Sequence, residues 1–252
     1  MITTIPYILL MATAMATEED DSPSTNTTVI DVGIITLGAL GYLGANQIPI
    51  TTDTLRSNPT GIDAWIEPQW HPEWAWSSDF LGVPYAHYGF NLPLLTVAAA
   101  TVWGGTTQSN WGTAIPVVQA VAITATLTET TKRLVSRPRP YTSIAFEEAY
   151  PDTYNSESMQ TLRANPDTFK SFPSGHTSNA AATYFTTAAI IAQQTNNANS
   201  RILAYGTATA LTGLTGYSRV RYGKHHISDT LVGAAIGSSI GLGVAYLHER
   251  WR

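Results

Sequence analysis

Long runs of apolar and small residues carry no charge in this chain, and polar segments separate them. No Lys, Arg, Asp or Glu occurs in 32–52, 80–128, 171–200, 202–218 or 230–248. Each run reaches the roughly 17 residues that can cross a bilayer core. The pattern predicts helices. A first covers Val29 to Ala45. Residues 47–76 are irregular, broken by Pro49, Pro59, Pro68 and Pro72. A second helix runs from Tyr88 to Trp103. A third runs from Trp111 to Val135 and ends at Arg137-Pro138-Arg139-Pro140. Ser174 is a natural N-cap for a fourth helix through Gln193. Asn196 to Ser200 forms a turn, a fifth helix ends near Tyr217, and a sixth opens at His225 and runs to His248. On the sixth, Gly233, Gly237 and Gly241 share one face, which suits close helix contact. The expected fold is all-α: a single domain over 29–252, built as a bundle of about six helices with the functional residues gathered at one end.

The rest of the composition adjusts this picture. Ile5 to Ala16 is an apolar core ending in small residues, and Ala14-Met15-Ala16 fits a cleavage pattern, so residues 1–16 read as a signal or leader segment. Residues 17–28, acidic and polar, read as a linker. Charged residues make up 12% of the chain, against about 25% in soluble domains. The charge-free runs are rich in Thr, Ala, Gly and Ser, and the mean hydropathy is −0.02. Such helices can pack in a membrane through small residues or form the interior of a soluble bundle. The scarcity of charge favours the membrane. There is no Cys, which excludes disulfides, thiolate metal sites and cysteine nucleophiles. Net charge is −5 and the basic residues cluster, which argues against nucleic acid as a partner. Trp65, Trp70, Trp74 and Trp76 crowd the irregular segment; they suit an interfacial belt, a lipid contact or a loop packed over helix ends. Nothing in the sequence specifies an oligomeric state.

Candidate chemistry sits in three clusters: Lys132 with Arg139-Pro140; Pro173-Ser174-Gly175-His176; and Ser218-Arg219 followed by His225 and Asp229. A phosphoryl group in transfer spreads negative charge over its oxygens, so positioning and charge stabilisation supply most of the catalysis. Arg139 and Arg219 can each offer a planar fork, and Lys132 a point charge. The backbone amides of Ser174 and Gly175, at a helix start, would face an anion. His225 and Asp229 are four apart, so on a helix the carboxylate would orient the imidazole. That reading makes His225 the nucleophile, Asp229 its orienter and His176 the acid that protonates the leaving oxygen. His226 would point away. Arg133, Arg137, Arg221 and Lys224 read as rim or surface charges that steer an anionic substrate. Residues 141–172 form an insert whose acids (Glu147, Glu148, Asp152, Glu157, Asp167) follow no metal-ligand spacing and suit a solvated lid.

The pattern K-x6-RP, PSGH, SR-x5-H-x3-D resembles the type 2 phosphatidic acid phosphatase superfamily, in particular its bacterial phosphatases; the superfamily also contains vanadium haloperoxidases. The resemblance covers the chain from about residue 80 onward and implies a metal-independent phosphatase without a cofactor, acting through a phosphohistidine intermediate. Its substrate would be a phosphomonoester or pyrophosphate on a membrane lipid, and vanadate could bind as a phosphate analogue. The expected location is the cell membrane with an extracytoplasmic active site. The alternatives are a soluble periplasmic acid phosphatase, a vanadate-dependent haloperoxidase and a catalytically silent membrane scaffold.

Overall fold

The computed structural model describes residues 25–52, 60–66, 79–80, 83–84, 114–143, 148, 151–154, 157, 161, 164–221 and 223–251. Five long helices carry the architecture: α1 (Thr25–Ala45), α3 (Ala114–Val135), α5 (Gly175–Gln193), α6 (Ala198–Arg221) and α7 (Ile227–Trp251). Two short ones, α2 (Ile62–Ile66) and α4 (Pro151–Tyr154), lie between them. A two-residue antiparallel pair, β1 (Asp79–Phe80) with β2 (Val83–Pro84), is the one departure from an all-helical fold among the described residues. The leader, the helix predicted over 88–103, and Trp70, Trp74 and Trp76 lie outside the described residues.

Ser174 caps α5 as expected, accepting the Thr177 amide at 3.4 Å. Other boundaries move. The first helix starts at Thr25, so its opening turn takes residues assigned to the linker. Helix α6 begins at Ala198, inside the predicted turn, and continues to Arg221. Helix α7 begins at Ile227, so His225 precedes it rather than opening it. At the end of α3, Ser136 turns the chain with a φ of 46°. This left-handed cap is held by the Ser136 amide on the Lys132 carbonyl and the Ser136 hydroxyl on the Arg133 carbonyl.

Helices α5 and α7 form the most extensive interface, and the glycine face builds it. A Cβ at Gly233 would lie 2.7 Å from the Ser174 carbonyl, and one at Gly241 2.7 Å from the Ala182 carbonyl. Here backbone meets backbone. Helix α1 packs on α3, and there Asp31 accepts from the Gln119 side chain at 2.8 Å. Apolar contacts of Ala180, Tyr184 and Ala188 with Ala208 hold α6 to α5.

Among the described residues many buried positions carry hydroxyls, and several large apolar side chains are exposed. Thr124, Thr128, Thr177, Ser178, Thr183 and Thr186 are buried, whereas Leu37, Ile202 and Leu203 are each 70% exposed. Leu40, Leu134, Leu214 and Leu231 are also exposed. Many threonine hydroxyls close on their own helix. Thr126, Thr183, Thr186 and Thr215 each donate to the carbonyl four residues back. A hydroxyl satisfied in this way costs little in apolar surroundings. Measured by hydropathy alone, one described helix, Ile227–Arg250, is long and apolar enough to cross a membrane. Val29–Ala45 is apolar but shorter.

Candidate active site

The end of α3, the start of α5, the end of α6 and the start of α7 converge. Lys132 is buried on the last turn of α3. A Cβ on Gly175 would lie 3.0 Å from the Lys132 ammonium, so glycine is what lets that ammonium rest against the start of α5. Arg139 follows in the loop after α3. Its Nε donates to the Asp167 carbonyl at 3.0 Å and its Nη1 to the Lys224 carbonyl at 2.6 Å. Arg219 is buried on the last turn of α6, and its carbonyl accepts the amides of Lys224 and His225. His176, on the first turn of α5, lies within electrostatic range of Arg219, Lys132, His225 and Arg139. Three cations and two imidazoles thus come within electrostatic range of one another where these helix ends meet.

His225 is almost fully buried. Its Nδ1 lies 2.7 Å from the Ser171 carbonyl, which can only accept, so Nδ1 carries the proton. Nε2 is then the atom with a lone pair, and it lies 3.5 Å from Nη1 of Arg139. Burial, followed by Arg139, Arg219 and Lys132, holds this imidazole well below the ordinary histidine range, while the Ser171 hydrogen bond pulls weakly the other way. A ring shifted in that direction is neutral at pH 7, the form that a nucleophilic imidazole would need.

Asp229 is fully buried but does not play its part as expected. Its Oδ2 is 3.7 Å from Nδ1 of His225, too long for a hydrogen bond. The link runs through Ser171, which gives its carbonyl to His225 and its hydroxyl to Asp229 at 2.5 Å. The reason is the later helix start: His225 lies before α7, so a separation of four does not stack the two side chains. Asp229 also accepts the His226 backbone amide at 2.9 Å, while the His226 ring turns to the Pro138 carbonyl at 3.3 Å.

Two further expectations change. The Ser174 amide donates to the Asp229 carbonyl at 2.9 Å, so it is already engaged and not open to an anion as expected. The Ser174 hydroxyl is buried in its cap and lies 2.9 Å from the Thr177 hydroxyl. Arg133 and Arg137 are not steering charges. Arg133 bonds Glu129, the Ile48 carbonyl and Asn46, which fastens the end of α1 to α3. Arg137 bridges Asp63 and Asp229. Lys224 stays near the pocket, 5.7 Å from the Tyr141 ring centroid. Burial and the neighbouring Arg139 and Arg219 bring its pKa down to about 8.

Sequence reasoning passed over Ser171, Lys170 and Asp63. Ser171 had a signal, standing just before Phe-Pro-Ser-Gly-His. Lys170 pairs with Glu129 at 3.0 Å and Asp167 at 2.9 Å, and only its place beside the same run could have marked it. Asp63 belongs to no motif. In the insert, Glu148, Asp152, Glu157 and Asp167 are exposed, and Glu147 lies outside the described residues. Among the described residues no cluster of His, Asp or Glu has the geometry to hold a metal ion.

No curated protein and no solved structure matches the chain. A family model does: the PAP2 superfamily, over residues 113–252. That match is more than half of the chain, opens one residue before α3 and contains all three clusters that form the pocket. On this ground, the chain belongs to the PAP2 superfamily.

Proposed function

We propose that this protein is a phosphatase of the bacterial type, hydrolysing a phosphomonoester or pyrophosphate carried on a membrane lipid. The observation that carries the reading is the state of His225: a neutral imidazole, protonated on Nδ1, with Nε2 turned toward Arg139. The substrate phosphate lies among Lys132, Arg139, Arg219 and the Gly175 amide. Nε2 of His225 attacks phosphorus, the bond to the leaving oxygen breaks, and His176, protonated once the negative charge of the bound phosphate offsets Lys132, Arg139 and Arg219, gives that oxygen a proton. The imidazole becomes a cationic phosphohistidine, stabilised by the Asp229 charge nearby. Water then attacks phosphorus, His176 takes the proton back, and phosphate leaves with Nε2 restored. No metal enters this scheme, since the three cations carry the charge stabilisation.

The exposed leucines and isoleucines, set against buried threonines, support a bundle immersed in lipid. A lipid substrate suits a pocket at one end of such a bundle. The leader-like segment Ile5–Ala16 favours an extracytoplasmic pocket. The test is hydrolysis of p-nitrophenyl phosphate and of a panel of lipid phosphates by purified protein in detergent, with chelator present. Turnover that needs no metal and is greatest on a lipid phosphate supports the proposal. Halide oxidation with vanadate and peroxide would replace it with a haloperoxidase, and inactivity in both assays with a silent scaffold. A second arm concerns His176. His176→Ala should slow alkyl phosphates more than aryl phosphates, whose leaving groups need little protonation. Equal losses would remove His176 from the acid role.

A further inference from the structure

Behind His225 lies a charged bridge of which the phosphatase scheme uses only Asp229. Arg137 is its centre. Nη1 bonds Oδ1 of Asp229 at 2.5 Å, and Nη2 bonds Oδ2 of Asp63 at 2.8 Å. Nη1 also reaches the Ser228 hydroxyl at 2.8 Å. Asp63 grips the start of α7 a second time, accepting the Ser228 amide at 2.9 Å and the Ser228 hydroxyl at 2.7 Å. The main chain of Arg137 takes part too, because its carbonyl accepts the Ser171 amide at 3.0 Å. Arg137 therefore touches both supports of the nucleophile: Ser171, which fixes the proton on Nδ1, and Asp229, which faces the ring.

The bridge is buried where it matters. The Asp63 side chain is 6% exposed and that of Asp229 0%. Two carboxylates so placed repel each other unless a cation stands between them, and a guanidinium, with its planar fork, can bond both at once. The three groups together keep one negative charge beside the ring, which suits an imidazole that turns cationic on phosphorylation. Asp63 comes from α2, 165 positions before Ser228 and outside the matched residues 113–252.

We propose that Asp63 and Arg137 are positioning residues of the phosphate site. They clamp the first turn of α7 and the Ser171 segment together, so that Nε2 of His225 stands in line with a phosphorus held by Lys132, Arg139 and Arg219. The inference rests on the reading of His225 as nucleophile. A loosened clamp leaves the cations in place but lets the ring wander, and a misplacement of about 1 Å can cost about a hundredfold in rate.

The test separates holding an anion from meeting it in line. Inorganic phosphate needs only the cations, whereas orthovanadate, a mimic of the five-coordinate phosphorus, also needs Nε2 at its axis. Affinities for both are measured by calorimetry on the purified full-length protein and on D63N, R137Q, R137K and the double variant D63N/R137Q. The expected result is a loss of vanadate affinity of about tenfold or more in D63N and R137Q, with phosphate affinity within about twofold. The double variant should lose no more than the worse single variant, because both act through one bridge. R137K, which keeps the charge and reaches one carboxylate, should fall between. An unchanged ratio of vanadate to phosphate affinity in variants that melt cooperatively, or additive losses in the double variant, would overturn the inference. Vanadate binding by a wild-type protein that turns over no phosphate ester would sink the phosphatase reading and leave the clamp standing. Failure of the wild type to bind vanadate would sink both.

Discussion

His225 owes its readiness to its neighbours. The Ser171 carbonyl holds the proton on Nδ1, and burial among cations keeps the ring neutral. His225→Ala should lower kcat on p-nitrophenyl phosphate by about three orders of magnitude or more, since the intermediate cannot form. His226→Ala should do far less, its ring being occupied with the Pro138 carbonyl. Similar losses would mean that the wrong histidine has been assigned. The electrostatics give a second expectation. The folded pKa of His225 lies below the ordinary value of about 6.5, so the acid limb of kcat/KM on an aryl phosphate should lie below that pH. Arg139→Gln removes a cation that disfavours the imidazolium, so the limb should move upward. A limb that stayed in place or moved down would show that Arg139 does not set the protonation of the nucleophile.

Among the helices, the glycine face of α7 is the feature most directly tied to sequence. Gly237→Ala would drive a Cβ into the Ser178 carbonyl and the Ala181 side chain, and α5 has no room to give. We expect a loss of about 1–3 kcal/mol, read as a lower melting temperature in detergent. Gly243→Ala, on the same helix with nothing within 4 Å of the added methyl, should be neutral or slightly stabilising. If both variants melted alike, the close packing of α5 on α7 would be refuted. These glycines were legible because four-residue spacing means one face. Ser174 as a cap was legible because its side chain acts locally. The helix starts were less so. His225 and Asp229 look like a helical pair, yet the Arg219 carbonyl takes the His225 amide and delays α7 to Ile227. Arg137 was misread because a cation's partner, here Asp63, can lie far away in the chain, and no local pattern announces it.

At the scale of the molecule, exposed leucines beside buried threonines support the proposed place in a membrane. Native membranes washed with high salt or carbonate should keep it in the pellet, since a surface carrying Leu37, Leu40, Ile202 and Leu203 gains nothing by leaving lipid. Release of active protein by salt alone would favour a soluble bundle and move the expected substrate to a soluble phosphomonoester. The missing charges pointed to apolar outer faces such as those of Leu37 and Ile202, while threonines, whose hydroxyls close on their own helices, hid them from a reading by hydropathy.

The unequal packing of α5, α6 and α7 has a mechanical consequence. Interlocked backbones make α5 and α7 a fixed anvil that carries His176, Asp229 and the seat of His225. Helix α6 meets α7 more sparingly, across a cavity of about 760 Å³ lined by residues such as Thr212, Gly216 and Leu231. Helix α6, which carries Arg219, is tied mainly to α5, so we expect the site to open and close on its α7 side, like a jaw hinged on α5. Because the chain has no cysteine of its own, spin labels can be placed one pair at a time. Labels at Y217C and L231C should give a broad distance distribution that narrows with orthovanadate. Labels at I191C and L247C, across the anvil, should give a narrow one throughout, and equal widths for the two pairs would refute the hinge.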